Sequence, residues 1–122
     1  MFIQRDVNEL YLTGTMPNFI GDKPFGWVQK MNPDNLEVMY ESPNLECGDH
    51  IWCGAIAAHV NGTIINVNGS FMHILDDKCN VIKEIKLPIN QAHNGMLILS
   101  DGSIVTKDIR LSVSYTHLRA HE

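Results

Sequence analysis

Short apolar segments, each about as long as a β-strand and separated by polar turn residues, dominate the chain from Trp27 onward. Asn61-Gly62, Asn68-Gly69 and Asp101-Gly102 favour the positive φ angles of type I′ hairpin turns. No long stretch shows the 3.6-residue period of an amphipathic helix. The pattern therefore predicts an all-β protein built from antiparallel hairpins. The predicted strands are residues 27–31, 36–40, 55–59, 63–67, 71–75, 81–86, 96–99 and 104–108.

The predicted strands recur as a larger unit. Equivalent residues lie about 40 to 45 positions apart in three pairs, Pro43 and Pro88, Gly54 and Gly95, and Gly62 and Gly102. A four-stranded unit of this length is typical of a β-propeller blade. The repeat predicts a partial β-propeller of about two four-stranded antiparallel blades in residues 1–112. Residues 27–40 would be the outer strands of one blade, 54–86 a complete blade and 95–108 the inner strands of the next, with 10–15 ending an earlier blade.

Three phrases resemble propellers of the gluconolactonase, strictosidine-synthase and quinoprotein-like superfamilies: GWVQKMNPDNLEV, FMHILDDKCNVIKEIKLP and HNGMLILSDGSIVTKD. No WD40 or kelch signature occurs. The resemblance implies a protein that binds a small molecule at the mouth of its central channel, and in particular a metal-assisted lactonase-like hydrolase. A non-catalytic binding or scaffold propeller and a quinone-cofactor dehydrogenase are the alternatives. Whether the chain is an enzyme stays open.

The last ten residues, Val113 to Glu122, resemble translated adapter from transposon-based sequencing libraries. They back-translate to GTC TCT TAT ACA CAT CTC CGA GCC CAC GAG, which follows that oligonucleotide in one frame. The resemblance implies that residues 113–122 are a non-native tail. We therefore expect a truncated propeller whose remaining blades belong to a longer natural chain.

Charge and hydropathy exclude several classes of partner. The net charge is −5 and there is no cluster of Lys or Arg, so the sequence predicts no nucleic-acid partner and no anionic membrane surface. No apolar run approaches the roughly eighteen residues that span a bilayer. Cys47, Cys53 and Cys79 match no zinc or redox spacing, and we interpret them as small, partly buried residues. The cellular location stays open.

Polar residues gather where a propeller would form its channel mouth. His50 and Trp52 precede one inner strand, and His93 and Asn94 precede the next. In the same mapping, Asn66 and Asn68 end the second strand of one blade, and Lys107 and Asp108 end the second strand of the next. His50, His93 and Asp108 are the candidate catalytic residues, since imidazole transfers protons near neutral pH. Both histidines could instead cap loops by hydrogen bonding to the backbone.

Two further residues in this group have possible binding roles. Trp52 could stack on a flat cofactor or sugar, or could cover a neighbouring sheet. Asn94-Gly95 resembles the Asn-Gly pair that supplies an oxygen ligand in gluconolactonase-like enzymes. That match implies Asn94 as a ligand of Ca²⁺ or another divalent metal, although a simple turn explains the same pair. His59 and His73 are predicted to be structural.

Overall fold

A computed structural model describes residues 2–6, 9–16, 24–48, 54–91, 93–108 and 115–119. Throughout these ranges the chain forms β-strands, turns and loops and no helix, which confirms the all-β prediction. All paired strands are antiparallel, and they form three separate open sheets. In this described part, no helix has the length and hydrophobicity required to cross a membrane.

Each sheet consists of strands that follow one another in the chain. The first has the order β1 (Phe2–Asp6), β2 (Glu9–Met16), β3 (Phe25–Met31), β4 (Val38–Glu41), with the short β5 (Leu45–Glu46) also paired to β3. The second has the order β6 (Ala55–Ala58), β7 (Ile64–Leu75), β8 (Val81–Gln91). The third contains β9 (His93–Ile98), β10 (Ser103–Asp108) and β11 (Tyr115–Arg119), with β10 central. β11 lies within the adapter-like tail.

Two hydrophobic clusters join the sheets face to face. The cluster between the first and second sheets contains Tyr11, Val28, Leu45, Ile56, Ile64, Leu75 and Cys79. The cluster between the second and third sheets contains Ala55, Ile65, Val67, Met72, Ile74, Leu87 and Ile104, against which Met96 and Ile98 pack. Successive residues of a strand point to opposite faces, so Ile64 and Ile65 fall in different clusters. The second sheet is therefore covered on both faces.

The predicted hairpin turns at Gly62 and Gly102 are present, with a different geometry. Gly62 has a φ of 91° and Gly102 one of 88°, whereas Asn61 and Asp101 do not have positive φ. Each glycine N–H donates to a carbonyl three residues earlier, at 3.0 Å and 2.9 Å respectively. This is a type I turn followed by a left-handed residue, which closes a three-residue hairpin loop. The type I′ prediction is therefore wrong, although the positions of the turns are correct.

The predicted turn at Asn68-Gly69 is wrong. Residues 64–75 form the single strand β7, whose first part pairs with β6 and whose second part pairs with β8. Gly69 has a φ of 58°, and the register shifts between Gly69 and Phe71, so the glycine bends the strand as a bulge does and does not reverse it. Side chains on both faces of β7 are buried as far as Asn68. Continuing the strand therefore keeps more side-chain surface buried than a turn at this point would.

The blade boundaries predicted from the repeat also differ from the sheets. Residues 54–86 contain three strands and not four, since the two middle segments are merged into β7. Residues 10–15 lie in β2, which pairs with β3, so they share a sheet with residues 27–31 and do not end a separate earlier one. A four-stranded meander, the arrangement expected of a blade, occurs in the first sheet as β1 to β4.

Candidate functional site at the polar end of the sheets

His59 fixes the relative direction of the second and third sheets. Its Nε2–H donates to the carbonyl oxygen of Gly102 at 2.9 Å, and its Nδ1 accepts from the N–H of Asn61 at 3.2 Å, an arrangement that requires a neutral ring. His59 follows β6 and Gly102 lies in the turn that follows β9, and these two strands contact each other. The ends of β6 and β9 therefore lie together, and so do their beginnings. His59 has the structural role predicted for it.

The side chain of Asn66 lies at the beginning of β6, where β7 pairs with that strand. Asn66 is directly opposite Ile56 and is fully buried. Its Nδ2 donates to the hydroxyl of Thr13 at 2.8 Å and to the carbonyl oxygen of Ala55 at 3.1 Å. A carbonyl only accepts, so the Ala55 contact identifies the nitrogen of the amide. The oxygen, Oδ1, is buried and has no hydrogen-bond partner.

Asn68 lies two residues further along β7, and it is also fully buried. Both its Oδ1 and its Nδ2 lack hydrogen-bond partners. Glycine backbone approaches this amide from two sides. A Cβ at Gly26 would lie 2.6 Å from Nδ2, and a Cβ at Gly54 would lie 2.9 Å from the same atom. The fold therefore keeps space for an amide whose hydrogen-bonding capacity is unused.

Unused capacity of this kind is costly. A buried polar atom without a partner costs about 1–3 kcal/mol, so native proteins satisfy nearly all of them with protein, water or ligand. Asn66 and Asn68 together contribute three such atoms within one short segment. We therefore define the polar end by Thr13, Asn66 and Asn68, with Gly26 and Gly54 as its walls.

The third sheet brings three other predicted residues to the beginning of β9. Asp108 pairs with His93, and Lys107 pairs with Gly95, so Asn94 is an extra residue in a β-bulge. Bulges are common next to active sites, where they redirect a side chain. The backbone thus places His93, Asn94 and Asp108 together at the same end of the stack as Asn66 and Asn68.

The remaining predicted site residues lie either in another part of the sheets or outside the residues that the structure describes. His50, Trp52 and Cys53 are outside the described residues. His73 lies in β7, is 1% exposed, and its Nε2 is 2.9 Å from a carboxylate oxygen of Glu84 on β8. Its ring also stacks near that of Phe71, with 6.4 Å between centroids. These contacts agree with the structural role predicted for His73.

The polar end contains two amide oxygens, a type of atom that can bind a divalent cation. Amide oxygens are ordinary ligands of Ca²⁺, which takes six to eight oxygens. Asn66 Oδ1 and Asn68 Oδ1 are two such atoms and are free to accept. Among the residues that the structure describes, no three His, Cys, Asp or Glu side chains cluster to hold a metal. A cation here would therefore depend on amide and backbone oxygens.

Sequence reasoning missed Thr13, Gly26 and Gly54. Thr13 reaches Asn66 from 53 positions away in the chain, a relation that no local pattern indicates. The one available signal was glycine within or next to an apolar strand segment, since such a glycine often marks close approach of another group.

No protein-family model, no curated protein and no solved structure matches the chain. The resemblance to gluconolactonase-like propellers is therefore still a prediction.

Proposed function

We propose that this chain is part of a β-propeller-like protein that binds a small molecule at the polar end, together with a divalent cation such as Ca²⁺. The observation that carries the proposal is the set of three buried amide atoms on Asn66 and Asn68 without hydrogen-bond partners. A ligand with hydroxyl or carbonyl groups would satisfy these atoms. Asn66 Oδ1 and Asn68 Oδ1 would be cation ligands.

The stacking of the sheets supports the propeller part of this proposal. The first strand of each sheet contacts the first strand of the next, since β1 contacts β6 and β6 contacts β9. In a propeller, first strands surround the central channel and the sheets radiate from it. The remaining blades would come from the rest of a longer chain.

A lactonase-like hydrolase is the activity that best fits these residues. A bound cation would polarise the carbonyl group of the substrate. His93 is the residue that we propose to accept a proton from the attacking water. Asp108, whose backbone pairs with that of His93, is a second candidate for proton transfer. The non-catalytic alternative keeps the same ligand site but gives His93 no role in proton transfer.

Calcium-dependent melting tests the cation site directly. We expect CaCl₂ to raise the Tm of the chain, because a ligand that binds only the folded state stabilises it by mass action, by about 2.7 kcal/mol at one hundred times Kd. Asn68→Ala should abolish the shift, whereas Asn80→Ala, at an exposed turn asparagine, should keep it. A wild-type Tm that does not respond to millimolar Ca²⁺ would remove the cation from the proposal.

Hydrolysis distinguishes the enzyme from the binding protein. Proton release from a panel of five- and six-membered sugar lactones would be followed with a pH indicator, with and without Ca²⁺. We expect His93→Ala to lower kcat and to leave the calcium-dependent Tm shift in place. Equal turnover by wild type and His93→Ala would contradict the proton-transfer role of His93, and no turnover by wild type would favour the non-catalytic alternative.

A further inference from the structure

A directed chain of hydrogen bonds runs from Asn66 in the second sheet to Thr13 in the first. The hydroxyl of Thr13 donates to the carbonyl oxygen of Trp27 at 2.9 Å, on the neighbouring strand of its own sheet. Because a hydroxyl has one hydrogen, its oxygen must be the acceptor in the 2.8 Å contact with Asn66 Nδ2. The direction from amide to hydroxyl to carbonyl is therefore fixed.

The other hydrogen on Asn66 Nδ2 is also used. It points to the carbonyl oxygen of Ala55 on β6, at 3.1 Å. If the amide were turned over, its oxygen would face the hydroxyl oxygen of Thr13 and the carbonyl oxygen of Ala55, and a carbonyl can only accept. Asn66 Oδ1 is thus held in one orientation, where it is buried and has no hydrogen-bond partner.

The amide of Asn68 lacks such an arrangement. Neither Oδ1 nor Nδ2 of Asn68 has a hydrogen-bond partner, so no contact decides which of the two atoms is presented to a ligand. The terminal torsion of an asparagine side chain has a broad energy profile and does not fix the amide by itself. Asn66 is therefore the oriented acceptor of the polar end, and Asn68 is the amide that can adapt.

An oriented oxygen is a better cation ligand than one that rotates. Groups that hydrogen-bond to a metal ligand keep it in place, and loss of such a group typically weakens metal binding about 10- to 100-fold. Neighbouring hydrogen bonds also polarise one another, so an amide that donates from its nitrogen carries more negative charge on its oxygen. Both effects favour binding of a divalent cation by Asn66 Oδ1.

We propose that Thr13 is the positioning residue of the cation site and holds Asn66 Oδ1 toward the ion. This role rests on the proposed function, since it concerns the same site. Thr13 is 4% exposed and acts through Asn66, not as a ligand. The site is then assembled by two sheets, because the ligand lies on β7 and the group that orients it lies on β2.

Calorimetric titration of the whole chain with CaCl₂ tests this role. Thr13→Val removes the hydroxyl but keeps the shape of the side chain, and it should raise the Kd for Ca²⁺ about 10- to 100-fold. Thr13→Ser keeps the hydroxyl and should bind Ca²⁺ nearly as tightly as wild type. Thr63→Val is the matched control, because it also removes a hydroxyl that bonds to an asparagine amide, 2.6 Å from Asn61 Oδ1 in an exposed turn. Its Kd should equal that of wild type.

The outcomes separate failure of this role from failure of the cation site. If wild type binds Ca²⁺ and Thr13→Val binds it equally well, Thr13 does not position the ligand, and the cation site stands without it. Equal weakening by Thr13→Val and Thr13→Ser would also overturn the role, because the effect would then come from packing and not from the hydroxyl. If wild type binds no Ca²⁺, the cation site and the role of Thr13 both fail.

The wild-type chain offers a second measurement in case Thr13→Val does not show a cooperative melt. In a nitrogen-labelled sample, nuclear magnetic resonance should show that both Nδ2 hydrogens of Asn66 exchange slowly with water, because both are buried and hydrogen-bonded. Their resonances should shift when CaCl₂ is added. Rapid exchange, or resonances that do not respond to Ca²⁺, would contradict the proposal.

Discussion

Replacing Gly102 by alanine tests the contact between His59 and the turn of the third sheet, which fixes the direction of the stack. Gly102 has a φ of 88°, a conformation that L-residues rarely adopt. In addition, a Cβ there would lie 3.2 Å from the Cε1 and Nε2 atoms of His59. The substitution therefore combines a backbone cost with displacement of the imidazole.

Two other glycines separate these costs. Gly62 has nearly the same φ, 91°, and a Cβ there would meet no atom within 4 Å. A left-handed conformation costs an alanine about 1–2 kcal/mol, and reduced entropy of the unfolded chain returns about 0.4–1 kcal/mol. Gly62→Ala should therefore lower the free energy of unfolding by about 1 kcal/mol. Gly95→Ala, with open space and no positive φ, should leave it unchanged or raise it slightly.

Gly102→Ala should lower the free energy of unfolding more than Gly62→Ala does. The difference should equal the free energy that the His59 contact contributes. The lost hydrogen bond of 2.9 Å is worth about 1 kcal/mol, and a buried Nε2–H left without an acceptor raises the cost further. We expect a total of about 2–3 kcal/mol, measured by urea denaturation followed by circular dichroism.

The double variant identifies the source of the difference. In a His59→Ala background, Gly102→Ala should cost only what Gly62→Ala costs, because the imidazole is already absent. If Gly102→Ala and Gly62→Ala are equal in the wild-type background, or if the excess persists without His59, the proposed contact does not stabilise the fold.

Three further predictions concern other buried or left-handed residues. Leu36 has a φ of 60° and is 62% exposed, so Leu36→Gly should raise the free energy of unfolding by about 0.5–1 kcal/mol in urea titrations. Burial raises the pKa of the Cys79 thiol from 9.0 to about 11. The stability that the neutral thiol contributes should therefore be complete below pH 9 and should be lost as the pH rises toward 11. Denaturation at each pH measures this loss, and Cys79→Ala, which should not show it, is the control. Lys30 Nζ lies 3.3 Å from Glu9 and 5.5 Å from the centroid of the Tyr11 ring, and Lys30→Met should lower the Tm by a few degrees because both contacts are lost.

Local turn chemistry was enough to place most of the hairpins. Asn61 Oδ1 accepts from the N–H of Thr63 at 3.0 Å, and Asp101 Oδ1 accepts from the N–H of Ser103 at 2.8 Å. Such bonds depend only on neighbouring residues, so the sequence predicts them. The same chemistry could not predict that Leu36 and Cys79 take the left-handed position in two other turns. Those conformations follow from the strand pairing that each loop must connect.

The candidate site was predictable only in part, because its members come from different sheets. The repeat predicted that Asn66 and Asn68 end a second strand at the channel mouth. Asn66 pairs with Ile56 near the beginning of β6, whereas Asn68 lies within β7 and does not end a strand. The repeat could not predict that both asparagines would be fully buried. Nor could it predict that Thr13 would hydrogen-bond to Asn66 or that Gly26 would pack against Asn68. These relations arise from packing of the first sheet on the second.

The failed turn at Asn68-Gly69 and the candidate site have the same origin. An Asn-Gly pair in a hairpin turn is solvated, and its amide then bonds to water or to the local backbone. Here the strand continues through the pair, because Val67 and Met72 on either side are both buried in the core. The amide of Asn68 is thereby taken from solvent into the space between two sheets, where the backbone of β7 offers it no partner. A buried polar group without a partner carries a free-energy cost that a bound ligand or water would relieve, and this is why we propose the polar end as the ligand site.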